Sequence, residues 1–239
     1  MILILSAICL VGIILLSIRA KFPGRGGYLA LLTITLLGSQ SYLLMDTQFH
    51  WGTKLVTKKH TVKIYPIVSF PGSNQVLIYR NFGSGKIKKQ IYVTAKDPQK
   101  KQKSLLYSDG IKVRLRSYRQ KSALRITAQS EYHYTSKLMQ VLFAGITNNH
   151  HLKATTVTFL LPGNWSVLST SNARQAGTAL KNGKAELKQK VAGRVQKYLR
   201  LHPEKATAQP VLKRIEEQAL QVETHRILQK FADRQASHD

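Results

Sequence analysis

The chain has 239 residues, 43% hydrophobic and 20% charged, which allows one ordinary core or a small domain with appendages and excludes a string of catalytic modules. Its 37 basic residues outweigh 11 acidic ones, giving a formal charge of +26, so attraction to polyanions is expected: nucleic acid, anionic lipid head groups or phosphate-rich wall polymers. The single cysteine, Cys9, lies in an apolar run, which rules out an intramolecular disulfide and argues against a thiol nucleophile.

Two apolar runs come first. Neither Ile2 to Ile18 nor Tyr28 to Met45 carries a charge, and each approaches the roughly 20 residues needed to cross a bilayer. No basic segment precedes the first run and a second run follows at once, so a transmembrane hairpin is expected over 1–46, with helices at about 2–18 and 28–45, rather than a cleaved leader. Between the runs, "SIRAKFPGRGGY" supplies turn residues together with Arg19, Lys21 and Arg25. These three cations favour a cytoplasmic hinge, which places both termini outside a cell membrane crossed twice. Lys54, Lys58, Lys59 and Lys63 follow the second run and pull the other way, but the helix first exits through the interfacial stretch "DTQFHWG".

Residues 50–170 alternate in short segments, the mark of antiparallel strands. Strands are expected at "TVKIYPIV", "NQVLIYRNF", "KQIYVTA", "KSLLYS", "IKVRLRSYR", "ALRITAQSEYHYT", "ATTVTFLLP" and "WSVLS", with a tight hairpin at Asp109-Gly110 and weaker turns at "FGSG" and "RQKSA". "SKLMQVLFAGI" has helical spacing. The whole reads as a basic β-rich domain, a sandwich or open barrel. In "IKVRLRSYR", alternation puts Ile111, Val113 and Leu115 on one face and Lys112, Arg114 and Arg116 on the other. The same rule in the next strand buries Leu124, Ile126 and Ala128 and projects Arg125, Thr127, Gln129, Glu131 and His133. Lys112, Arg114, Arg116 and Arg125 are therefore the candidate polyanion contacts; the competing reading is a solvated strand face.

Between residues 50 and 171 the carboxylates are Asp97, Asp109 and Glu131, and the first two sit in turns. Paired-carboxylate hydrolysis and acidic calcium or magnesium sites are poorly supported. No G-x-S-x-G elbow occurs, and "NFGSGKIK" lacks the first glycine and the final Ser or Thr of a phosphate loop. No enzymatic activity and no cofactor are expected. Glu131 and His133, with His150 or His151 from "GITNNHHLK", make a weak metal candidate: adjacent histidines in an extended chain point oppositely, so at most one would join.

From Ser171 the composition turns to Ala, Lys and Gln, and a helical region is expected over 171–239 with a break near 201–210. Ala176, Leu180, Leu187, Val191, Val195 and Tyr198 follow one helical stripe; a second helix from Thr207 or Pro210 is expected to bury Val211, Ile215, Ala219 and Val222. A helical hairpin or coiled-coil appendage with a solvated basic face accounts for the pattern.

"FHWGTKLVT", "YRNFGSGKIKKQIYV", "KLMQVLFAGITNNHHL" and "TFLLPGNWSVLST" carry a resemblance to an uncharacterised membrane protein family of lactic-acid bacteria, domain of unknown function 4811, over nearly the whole chain. The resemblance implies a Gram-positive cell membrane and supplies no activity. The expected role is a non-enzymatic membrane protein that displays its basic domain outside the cell, in contact with the lipid bilayer and with anionic wall polymer or anionic lipid. An accessory subunit of a larger membrane complex, such as a transporter, is the alternative; a cytoplasmic nucleic-acid or anionic-lipid binder, which needs the opposite topology, is less favoured.

Overall fold

A computed structural model describes residues 1–19, 23–83, 89–99, 103–145, 149–205 and 209–232. The chain divides into two compact units, Met1–Lys58 with Ala128–Thr155, and Lys59–Thr127 with Thr156–Asp239. It is an α+β protein, with two N-terminal helices, nine strands and a helical C-terminal segment among the described residues.

In the first unit, α1 (Ile2–Ile18) and α2 (Arg25–Phe49) run antiparallel. Gly24 adopts φ 76°, the left-handed conformation a glycine reaches without a Cβ penalty, and opens α2. Arg25 donates to the Ser17 carbonyl at 2.8 Å, placing a cation on the C-terminal end of α1, where the helix dipole favours it. Lys21 lies outside the described residues. Along the pair, Gly12 lets Leu32 approach, and Ser6 Oγ lies 2.9 Å from Ser39 Oγ. Most outward positions are apolar, including Ile8, Val11, Leu15, Leu31, Ile34 and Leu37.

The expectation of two spanning helices is only partly met. Among the described residues α2 alone is long and apolar enough to cross a membrane, and it extends beyond the expected 28–45 at both ends. α1 is apolar but has 17 residues, about 26 Å at 1.5 Å per residue against a hydrocarbon core of about 30 Å. Its first residue, Ile2, is buried with Tyr134 and Phe143 beside Tyr42 and Met139, so part of its short length is spent on a protein contact.

The unit is completed by parts of β1 (Thr53–Lys63), β7 (Leu124–Tyr134) and β8 (His151–Pro162), and by α3 (Lys137–Leu142), capped by Ser136. Tyr134 is 4% exposed and donates its hydroxyl to Asp46 Oδ2 at 2.8 Å. Burial, and then this bond, push the phenol well above its ordinary range. The folded state therefore holds the proton after the unfolded phenol, near pH 10, has lost it. This contribution to stability is complete below pH 10 and falls as pH rises above it. Tyr92, also raised by burial, acts in the same direction. Tyr134→Phe is expected to cost about 1–2 kcal/mol at neutral pH and to flatten the loss of thermal stability above pH 10; an unchanged alkaline limb would sink this assignment.

The second unit stacks three layers. One sheet contains strands in the order β1-β7-β8-β6, with β6 at Ile111–Tyr118. The other is built on β3 (Asn74–Phe82), which pairs antiparallel with β2 (Val68–Phe70) and β4 (Lys89–Ala95) and parallel with β9 (Trp165–Ser169); β5 (Lys103–Tyr107) pairs with β4. β3 is buried on both faces. Leu77 and Tyr79 enter a cluster with Tyr92, Val157, Phe159 and Trp165, joined by Ile111, Val113 and Leu115 from β6. Val76 and Ile78 point the other way, into a cluster with Leu168, Ala176, Leu180, Leu187 and Leu228. The antiparallel-rich sheets of the expectation are present, and among the described residues they form no closed barrel.

The second cluster corrects the reading of the tail. α4 (Thr170–Asn182), α5 (Lys184–Leu201) and α6 (Gln209–Phe231) cover a sheet face and are not an appendage. The first stripe is split at Gly183, which ends α4 through its N–H to the Ala179 carbonyl. Val222 is exposed, while Ala219, Glu223, Thr224 and Leu228 are buried. Buried Glu223 accepts from Arg194 Nε at 2.6 Å, so the ion pair fixes which face of α6 turns inward.

Candidate functional site

The chemically richest point lies in the first unit, where β7 meets the turn that enters β8. Residues two apart on a strand share a face, so Glu131 and His133 stand side by side, with His133 Nε2 3.2 Å from Glu131 Oε2. Their side chains are only 16% and 19% exposed. His150 arrives from the far end of the β7–β8 connection. Its N–H donates to the Tyr132 carbonyl at 2.8 Å, and its φ of 63° is left-handed, a conformation uncommon outside glycine. That backbone brings Nδ1 to 3.9 Å from the same Glu131 oxygen. The three donor atoms all lie within 4.8 Å of one another.

His151 goes elsewhere, toward His50, whose ring stacks on Tyr132 at 3.9 Å. Of the four candidate ligands, three are brought together and His151 is not, as the opposite directions of adjacent extended residues require. Lys58 Nζ on β1 sits 3.0 Å from Glu131 Oε2, and this ammonium, with His133, holds the carboxyl below its usual range. The sequence pattern contained Glu131 and His133 as an i, i+2 pair, but nothing in it pointed to Lys58.

The cationic row expected on β6 is present in the second unit. Lys112, Arg114 and Arg116 are exposed, alternating with Ile111, Val113 and Leu115 against the core. β6 ends its sheet, as does β1, which carries Lys54, Lys58, Lys59 and Lys63. Lysine and arginine on outer strands also discourage edge-to-edge pairing, so the row is compatible with a structural role as well as with binding. Arg125 is a correction. Its Nη1 donates to Ser104 on β5 at 3.3 Å and its Nε is buried, so it turns toward the other sheet. The face assignment fails because Ala123, 3% exposed and part of the first cluster, sets the parity of inward residues at the start of β7.

The expected structural jobs of two acids are visible. Asp97 Oδ1 accepts from the Gln99 N–H at 2.8 Å, and Asp109 pairs with Lys89 at 2.7 Å beside Gly110 at φ 65°. Gly85 of the "FGSG" turn lies outside the described residues. A groove of about 880 Å³ opens along α4, α5 and α6, floored by Leu180, Leu187, Val191 and Leu220 and edged by Lys181 and Lys184.

Residues 25–176 match the model of a family described as a domain of unknown function (DUF4811). No curated protein and no solved structure matches the chain.

Proposed function

The chain belongs to the DUF4811 family, a domain of unknown function, and from that premise we propose that it is a non-enzymatic membrane-anchored module whose basic β domain associates with anionic polymer or lipid of the cell envelope. The observation that carries this reading is the exposed row Lys112, Arg114 and Arg116 on an outer strand, in a chain of net charge +26. Apolar side chains on their opposite face anchor β6 to the core, so the three charges are held in line without a neighbouring acid on that strand. Such a row attracts a polyanion through many weak contacts, and Debye screening weakens it as salt rises.

In this reading α2 crosses the membrane and α1 lies beside it in the bilayer. The exposed apolar positions of α1 support this placement, as does the Ser6–Ser39 contact, which satisfies two hydroxyls within the pair. The short span of α1 is accommodated by local thinning. Arg19 and Arg25 at the hinge favour its cytoplasmic placement, and so a basic domain outside a Gram-positive cell membrane.

The full chain in detergent is expected to be retained on vesicles of anionic phospholipid or on immobilised wall polymer at about 0.05 M salt and released by about 0.5 M. Lys112→Glu with Arg114→Glu and Arg116→Glu should abolish most of that retention. External protease on intact cells should remove the domain. Retention that ignores both salt and charge reversal would refute the binding assignment, and protection from external protease would refute the orientation.

A further inference from the structure

We propose that Glu131, His133 and His150 form a three-ligand site for a divalent transition-metal ion of the zinc class, with Lys58 as the resident counter-cation that the metal displaces. The chemistry of the donors fits: two imidazole nitrogens and one carboxylate oxygen are borderline ligands that suit zinc, and a His₂Glu set leaves a fourth position for water. The geometry is close to closed. With metal–ligand bonds of about 2.0–2.1 Å, tetrahedral ligand atoms stand about 3.3 Å apart. Here Glu131 Oε2 lies 3.2 Å from His133 Nε2 and 3.9 Å from His150 Nδ1. The rings of His133 and His150 meet edge to face with centroids 4.3 Å apart, and the three donor atoms all lie within 4.8 Å of one another.

Two features argue for a site rather than a chance grouping. Glu131 and His133 are largely buried on a strand, whose pairing fixes their backbones before any ion arrives. His150 is held in a left-handed conformation that residues with a Cβ rarely adopt, and this conformation accompanies the approach of its ring to Glu131. With its side chain 60% exposed, it can move toward the other two donors without repacking a core.

Lys58 supplies the discriminating test. Its Nζ occupies the metal-facing oxygen of Glu131, but its side chain is 57% exposed and can swing into solvent. A metal therefore competes with an ammonium, and removing that ammonium should tighten binding. If the cluster were only a salt-bridged surface group, removing Lys58 would create no metal affinity.

The full chain, purified in detergent and stripped with chelator, is titrated with Co²⁺ followed by Zn²⁺. One equivalent of Co²⁺ should give the intense visible bands of a four-coordinate ion, and Zn²⁺ should bleach them. His133→Ala and His150→Asn should each weaken binding by more than the ~10–100-fold typical of removing an outer partner. Lys58→Gln should strengthen it several-fold, and His151→Asn should leave it unchanged. His150→Asn keeps a residue tolerant of positive φ, so its effect does not depend on misfolding. Absence of saturable binding in the parent chain, or binding unaffected by both histidine changes, overturns the proposal. Loss of the polyanion retention described above would leave it standing.

Discussion

A chain ending at residue 183 is expected to lose cooperative unfolding. Val76, Leu168, Ala176 and Leu180 are each at most 8% exposed, and they are covered by Leu187 and Leu228 with help from Leu220, Ile227 and Phe231. Deleting 184–239 removes that cover. Burial of each large aliphatic side chain contributes about 1.5–3 kcal/mol, so Leu187 and Leu228 alone account for a large share of the roughly 5–15 kcal/mol by which a domain is stable. The uncovered sheet face would also present a contiguous apolar patch, which favours association. Leu228→Ala isolates the effect at one position: it is fully buried, and a cost of about 3–4 kcal/mol is expected from transfer and cavity terms together. Thermal unfolding of the detergent-solubilised chains decides the matter. A truncated protein that melts sharply within a few degrees of the parent would show that the β sheets do not need the tail. The family match stops at residue 176, inside α4, so the expected loss of cooperative unfolding would also show that the matched segment is smaller than the folding unit.

Several strands of the sheets are legible because they obey the period-2 rule. β3, β4 and β9 coincide with "NQVLIYRNF", "KQIYVTA" and "WSVLS", where apolar residues alternate or run together between turn residues. β1 begins at Thr53, eight residues before the expected start at Thr61, since "TKLVTKKH" is mostly exposed and its strand conformation comes from ladder bonding, not burial. Arg125 was misplaced for a related reason: with apolar residues at 123, 124, 126 and 128, alternation alone could not say which parity faces the core. The hydrogen bond to Ser104 depends on a second sheet that a single strand cannot reveal.

In the helical tail the positions of Ala176, Leu180 and Leu187 were readable, but what they pack on was not. β3 offers its second apolar parity, Val76 and Ile78, and that double-sided burial is the signal that the sheet needed cover. Glu223 illustrates a limit of pattern reading. A carboxylate on an inward face contradicts the apolar stripe, and only its 2.6 Å contact with Arg194 makes the position tolerable. The metal candidate was half visible. Glu131 and His133 follow from strand spacing, whereas His150 reaches them through a 15-residue excursion whose register no local rule sets.

Gly72→Ala should be among the most damaging single-methyl changes in the chain, and three glycines grade the cause. Gly72 lies in the β2–β3 turn at φ +69°, and an added Cβ would fall 2.4 Å from the Gln221 nitrogen of α6, inside backbone that cannot rotate away. The turn is tied to that helix by Asn74, fully buried, whose Nδ2 donates to the Pro71 carbonyl at 2.9 Å and to the Gln221 carbonyl at 3.0 Å. A methyl at 72 must therefore either tilt α6 or break these bonds. The left-handed backbone costs an alanine about 1–2 kcal/mol and the overlap about 1–3 kcal/mol, together about 2–5 kcal/mol. Gly110→Ala carries only the first cost, because its φ is +65° with nothing within 4 Å of the added Cβ. Gly163→Ala carries neither and should be neutral within about 0.5 kcal/mol. At about 2–4 °C per kcal/mol for a chain of this size, the expected order of melting temperature is Gly163→Ala, then Gly110→Ala, then Gly72→Ala lowest by several degrees. If Gly72→Ala fell no further than Gly110→Ala, the close approach of the turn to α6 would be wrong, and with it the seating of the helices on the sheet.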